Sequence, residues 1–180
     1  MLFCALLISF LCNAQQTENF ISWDTTHLLK WDDFKGEPNG SSPYLAYTFS
    51  GFGYNTSYIG NDFTVVVYSR FDKTKSWKTQ KITDALLKHE QCHFDITEIF
   101  SRIFTKKIQE RGVVSKNKFN KDVQDIMKEV SSDLKKFNDL YDDETNHSQN
   151  TAKQKEWEDK IEKMLDKYKQ YSKREVNFHF

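Results

Sequence analysis

The chain has 180 residues, with 26 basic and 26 acidic side chains and no formal net charge. That balance excludes a global field that would draw it onto nucleic acid or anionic lipid. Aromatic residues make up 15% of the sequence, enough large side chains to build one compact core at this length.

The first eleven residues, Met1 to Leu11, form an apolar run that ends in Cys12-Asn13-Ala14. It is too short to serve comfortably as a permanent membrane helix, and its end has the small-residue pattern cut by signal peptidase. The expectation is a signal peptide over residues 1–14, followed by a single domain over residues 15–180. The protein would then be exported, to the periplasm or beyond. Leu11 before Cys12 argues against a lipoprotein. No later stretch is apolar for long enough to span a bilayer. Of the three cysteines only Cys92 survives processing, so the mature protein has no internal disulfide and must rely on packing or a metal.

Residues 15–30 are mixed, with Trp23 and Leu28-Leu29 as anchors. Lys35 to Pro43 is dense in turn formers. Tyr44 to Tyr54 alternates aromatic with small or polar residues, the period of a half-buried strand. Asn55 to Asp62 reads as a turn, and Phe63 to Phe71 as a second, β-branched strand. A third short strand is expected near Trp31.

From Thr83 to Glu110 the periodicity becomes helical, with Leu86, His89, His93, Ile96, Phe100 and Ile103 at spacings of three or four and Gly112 as the stop. Lys118 to Tyr141 repeats the pattern. The polar run Asp142 to Asn150 reads as a loop leading to a third helix bearing Trp157, Ile161, Tyr168 and Tyr171. The expected fold is α+β, a small N-terminal antiparallel sheet packed on about three helices.

His89-Glu90-Gln91-Cys92-His93 carries the chemistry. Two histidines four apart share one helical face and can bind one zinc ion, with Glu90 beside them. Zinc lowers the pKa of a bound water towards about 7, and a carboxylate can take its proton as it attacks a carbonyl. Both histidines lie on the apolar stripe, where buried imidazoles are costly unless something compensates them. Glu98 and Asp95 are rotated away from His89 and cannot close the site on a regular helix. His147, in the polar loop before the third helix, is the geometric choice for a third ligand, with Asp143 and Glu144 as alternatives; His27 and His179 lie in the loose start and the tail. Tyr141 and Tyr47 can donate a hydrogen bond to an oxyanion, although aromatic residues on apolar stripes commonly fill core. Cys92 adjoins a histidine in sequence, but helix neighbours cannot form an in-line thiol–imidazole pair.

Several strings together resemble the DUF922 family, bacterial proteins described as predicted secreted zinc-dependent proteases. They are Leu29 to Gly36 (LKWDDFKG), Ala46-Tyr47-Thr48, Ser76-Trp77, Leu86 to Glu98 (LLKHEQCHFDITE), Tyr141 to His147 (YDDETNH), and Gln154 with Trp157. The resemblance implies a zinc site with His89 and His93 as ligands, Glu90 as catalytic base, and the Tyr141–His147 block as source of the third ligand. It also implies a peptide or protein substrate. Cys92 departs from the small residue expected at its position. The leading functional expectation is an exported zinc metallopeptidase-like hydrolase on a zincin-like helix. The alternative is a non-catalytic envelope interaction domain stapled by zinc, which Cys92 would serve as a fourth ligand. There is no phosphate-binding glycine loop and no basic stripe for nucleic acid.

Overall fold

A computed structural model describes residues 19–38, 40–111 and 116–180. The expected signal segment, residues 1–14, and the expected helix stop at Gly112 lie outside the described residues.

Strand β4 (Asp62–Asp72) organises the sheet. The labels β1, β2 and β3 belong to the earlier strands Phe20–Ser22, Ala46–Tyr47 and Ser50–Ile59. In β4, Phe63, Val65, Val67, Ser69 and Phe71 alternate inward, as a half-buried pleated strand requires. β3 pairs antiparallel along one side of β4, from Ser50 opposite Phe71 to Ile59 opposite Asp62. The other side of β4 takes β1 at one end, with Ile21 opposite Phe71. Its other end takes β6 (Glu175–His179), with Val176 opposite Val65. A separate ladder joins β2 to β5 (Trp77–Lys78).

Three helices follow: α1 (Asp84–Arg111), α2 (Lys116–Thr145) and α3 (Thr151–Lys167). Thr83 Oγ1 accepts from the Leu86 amide at the start of α1, and Asn150 caps α3 through its side chain. Both satisfy amides that a helix N-terminus leaves unpaired. α1 runs through the middle of the molecule. Its Ile96, Ile99 and Phe104 are fully buried against Val65 of β4, Phe119 and Val123 of α2, and Trp157 and Ile161 of α3. A second cluster joins Ile21, Leu29 and Phe34 to Phe71 and Phe94.

The α+β architecture with three helices is as the sequence indicates, but its boundaries differ. The expected turn over residues 55–62 is strand almost throughout. Asn55, Thr56 and Ser57 face solvent on β3, which pairs with β4 alone, and the chain reverses at Gly60, whose φ of +61° suits glycine. Residues 44–54 are not one strand but β2, a break, and the start of β3. Near Trp31 the chain forms a 3-10 turn (Trp31–Asp33) instead of a strand. The remaining strands of the sheet come from the loose-looking start, as β1, and from the tail, as β6. α2 continues one turn beyond Tyr141 to Thr145, so Asp142 sits on a helix and not in a loop.

A buried ionic cluster ties these pieces together. Glu98 of α1 is 2% exposed and accepts from Arg102 Nε at 2.9 Å through Oε1, while Ser101 and Ser69 of β4 both donate to Oε2. Arg174, just before β6, lies 3.7 Å from the same carboxylate and donates to the Trp23 carbonyl; Arg102 reaches the Leu165 carbonyl of α3. Trp23 donates to Asp95 at 2.7 Å. This is why Glu98 and Asp95 are unavailable to a metal: they hold the N- and C-terminal segments on α1. Glu98→Ala leaves two guanidinium groups facing an empty buried site. It is expected to cost about 3–5 kcal/mol in urea unfolding, against a negligible effect for an exposed pair such as Lys135–Asp139.

Candidate metal centre

His89 and His93 project from one face of α1 with their rings at right angles, centroids 4.9 Å apart. His89 is 2% exposed and stacks flat on Tyr141 of α2. On the facing helix α2, Asp142 points its Oδ1 between the two rings. It lies 3.2 Å from His89 Nε2 and 3.1 Å from His93 Nε2. The three ligand atoms fall within 4.8 Å of one another, so the group His89, His93 and Asp142 could hold a metal ion.

The far side of each ring strengthens this. His89 Nδ1 lies 3.0 Å from Gln154 Oε1, and His93 Nδ1 lies 2.8 Å from Asn138 Oδ1. An amide oxygen only accepts, so each Nδ1 carries the proton and each Nε2 of a neutral ring presents a lone pair. Two lone pairs and a carboxylate oxygen then converge on one point. With both Nε2 atoms unprotonated, Asp142 Oδ1 is accordingly a buried oxygen that accepts no hydrogen bond from its two close nitrogens. Such a centre repels itself until a cation occupies it. Without a metal, that cation is a proton. Burial opposes charging His93, but its hydrogen bond and attraction to Asp142, with help from Glu90 and Asn138, raise its pKa to about 9. Burial likewise opposes ionising Asp142, yet the two imidazoles hold its carboxyl well below the usual carboxylate range.

Glu90, 4% exposed, is the other buried carboxylate here, and its Oε2 also lacks a partner. It lines a cleft of about 710 Å³ together with His89, His93, Asp142 and His147. One wall is the segment Pro43 to Thr48; the opposite wall is Lys135, Asn138 and Asp139 of α2. Thr48 Oγ1 donates to the Glu90 carbonyl and Ser50 bonds Thr97, fixing that wall to α1.

The model of the DUF922 family, a bacterial protein of unknown function, matches residues 68–148. Over these residues the chain is similar to the DUF922 family. The match begins in β4, contains α1 and α2 with all of His89, Glu90, His93, Asn138, Asp142 and His147, and ends in the turn before α3. The strings at Leu29–Gly36 and Ala46–Thr48, and Gln154 with Trp157, lie outside it. No curated protein and no solved structure matches the chain.

Within the DUF922 region, His147 stands at the cleft mouth. Its ring packs on Tyr44 at 4.6 Å, and its Nδ1 is 3.5 Å from Asp142 Oδ1, outside the three-residue group. Asn146, His147 and Ser148 all have positive φ, a left-handed turn that swings the chain from α2 into α3. Asp143 is exposed, and Glu144 accepts from Trp157 Nε1. Tyr141 is fully buried, its hydroxyl directed at Gln154 and the His89 carbonyl, and burial raises its pKa. Tyr47 lines the cleft and stacks on Trp77. Cys92 lies behind the His89 ring, on the side of α1 that faces Gln154. Gln154 Nε2 lies 3.8 Å from its sulfur, burial pushes its thiol up to about 12, and it stands outside the three-residue ligand group. His27 is exposed and His179 pairs with Asp62 at the hairpin end.

Asp142 is the residue that sequence reading passed over, because the run after Tyr141 looks like loop. The available signal was Thr145: four residues beyond Tyr141, it is equally buried and bonds the Tyr141 carbonyl, continuing the inward stripe.

Two outcomes are expected for divalent cations. Asp142→Ala weakens binding by more than about 100-fold, exceeding the loss from removing a residue that only supports a ligand, as titration calorimetry would show. Affinity also depends on pH in a set direction. A cation must displace the His93 proton, so affinity rises with pH up to about 9 and then levels. Proton release measured in buffers of different ionisation enthalpy checks this.

Proposed function

We propose that this protein is an exported zinc-dependent hydrolase acting on peptide bonds, with His89, His93 and Asp142 as zinc ligands and Glu90 as general base. The observation that carries the reading is Glu90 Oε2, a buried carboxylate oxygen without a partner, in the same cleft as the three converging ligand atoms. A desolvated, unpaired carboxylate is expensive, and such groups cluster where a proton must be moved. The donor set of two imidazole nitrogens and one carboxylate oxygen suits zinc, and three protein ligands leave a position for water or substrate.

Bound there, zinc would polarise the scissile carbonyl and make water acidic enough to attack at neutral pH. Glu90 takes one proton from the attacking water. It then delivers that proton to the amine nitrogen as the carbon–nitrogen bond breaks; the water's second proton passes from the new carboxyl group to the released amine, leaving a carboxylate and an ammonium. Gln154 and Tyr141 hold the His89 ring against rotation, and Asn138 does the same for His93. The wall from Pro43 to Thr48, with Tyr44, Leu45 and Tyr47 40–50% exposed, offers apolar surface to a substrate chain.

The competing idea, a zinc staple without catalysis, needs a fourth protein ligand. Cys92 was the candidate for it, and its sulfur lies on the side of α1 that faces Gln154, outside the ligand group. That placement favours the open, catalytic arrangement.

Glu90→Gln is expected to keep about one zinc per chain and to lower the turnover of a cleaved peptide by about 10²–10⁴-fold. A peptide-library digest by the zinc-loaded protein, run beside this variant, measures it. Equal cleavage by both proteins would remove Glu90 from the mechanism, and a wild-type protein that takes up no zinc would remove the reading altogether.

A further inference from the structure

We infer that Gln154 and Asn138 are positioning residues that fix His89 and His93 in the Nδ1–H tautomer, so that both Nε2 lone pairs face the cation. This rests on the metal reading above. It goes beyond that reading by assigning a role to α3, which lies outside the DUF922 match.

Each imidazole has two tautomers, and only one of them offers Nε2 to a metal. What selects it is the orientation of the amide behind the ring, and in both cases an obligate acceptor sets that orientation. Gln154 Nε2 lies 3.3 Å from Glu158 Oε1, one turn further along α3. The other oxygen of Glu158 accepts from Lys88 Nζ of α1 at 2.8 Å, which fixes this side chain as the acceptor facing Gln154. The Gln154 nitrogen must face Glu158, so Oε1 must face His89 Nδ1. The same oxygen accepts from the Tyr141 hydroxyl at 3.0 Å, which occupies its second lone pair.

Asn138 is built alike. Its Nδ2 donates to the Leu134 carbonyl one turn back on α2, at 3.3 Å. A carbonyl oxygen cannot donate, so Asn138 Oδ1 is left to face His93 Nδ1. Two amides on two helices thus reach the same result by the same device.

The choice of amides has a charge consequence. A carboxylate behind each ring would draw the Nδ1 proton away and make the imidazole more anionic. Amides add no charge behind the rings, so Asp142 is the negatively charged member of the donor set. A divalent ion keeps a net positive charge, which is what a Lewis acid needs.

The test uses the full chain with ¹⁵N-labelled histidine, with zinc as the only added ligand. In the wild type, the NMR shifts are expected to show Nδ1 protonated and Nε2 metal-bound in both rings. Gln154→Leu and Asn138→Leu remove the acceptor and should weaken zinc binding by about 10–100-fold each. Gln154→Glu and Asn138→Asp keep an acceptor and should stay within about tenfold of wild type. Gln154→Glu also sets a second carboxylate against Glu158, so it should lower Tm while zinc affinity holds. A merely structural role would make the two fall together. Asn138 is half-buried and tolerates substitution better, so it carries the test if Gln154→Leu does not fold. Zinc held through Nδ1, or leucine variants that bind as tightly as wild type, overturns the positioning role alone. No zinc uptake by the wild type overturns the metal reading and this inference with it.

Discussion

Three lone pairs aimed at one point are held there by parts of the chain that have no other reason to meet. The Nε2 atoms of His89 and His93 come from the central helix, and Asp142 Oδ1 comes from its neighbour. Left alone, such a convergence would push the two helices apart. The packing around it prevents that. Tyr141 lies flat on His89, is wedged against Trp157, and bonds back to the backbone of the histidine it supports. The core below is dense with aromatic and β-branched side chains from β4, α1, α2 and α3. The energy of that core holds an electrostatically unfavourable centre in place until a cation relieves it.

The buried polar groups on α1 and facing it divide accordingly. Glu98, Arg102, Ser101 and Ser69 satisfy one another, and they join both ends of the described chain to the helix. Among the described residues, Glu90 and Asp142 each keep a buried side-chain oxygen without a partner, and both face the cleft. The same helix therefore carries a closed charge cluster at one level and an open one a little more than two turns earlier. The difference between structure and chemistry on α1 is whether the carboxylate has its partners already.

Much of this was legible from residue spacing. Histidines four apart on an apolar stripe implied a shared, buried face, and the rotation of Glu98 matches its place against Ser69 and Arg102, away from both rings. What the spacing could not supply was Asp142. Polar residues at a helix end look like a loop unless the inward position, here Thr145, is noticed, because only one residue in four needs to face the core there. The strand pattern failed for a related reason. On an edge strand whose outer side is solvated, Asn55, Thr56 and Ser57 carry turn-like composition, and pairing with the β-branched β4 overrides it. β6 was hidden by its shortness, although Val176 and Phe178 alternate inward.

The double use of β4 bears on how the molecule is made. One face of its ladder is a hairpin with β3, contacts between near neighbours in sequence. The other is closed by β1 from the start of the described chain and β6 from its end, so Ile21 and Val176 belong to one sheet. Pairings across such separations form late, because the intervening loop must be ordered first. The hairpin and the three helices can therefore collapse while the β4 edge is still bare. An unpaired β-branched edge invites other chains, and during synthesis it stays open until residues 175–179 have emerged.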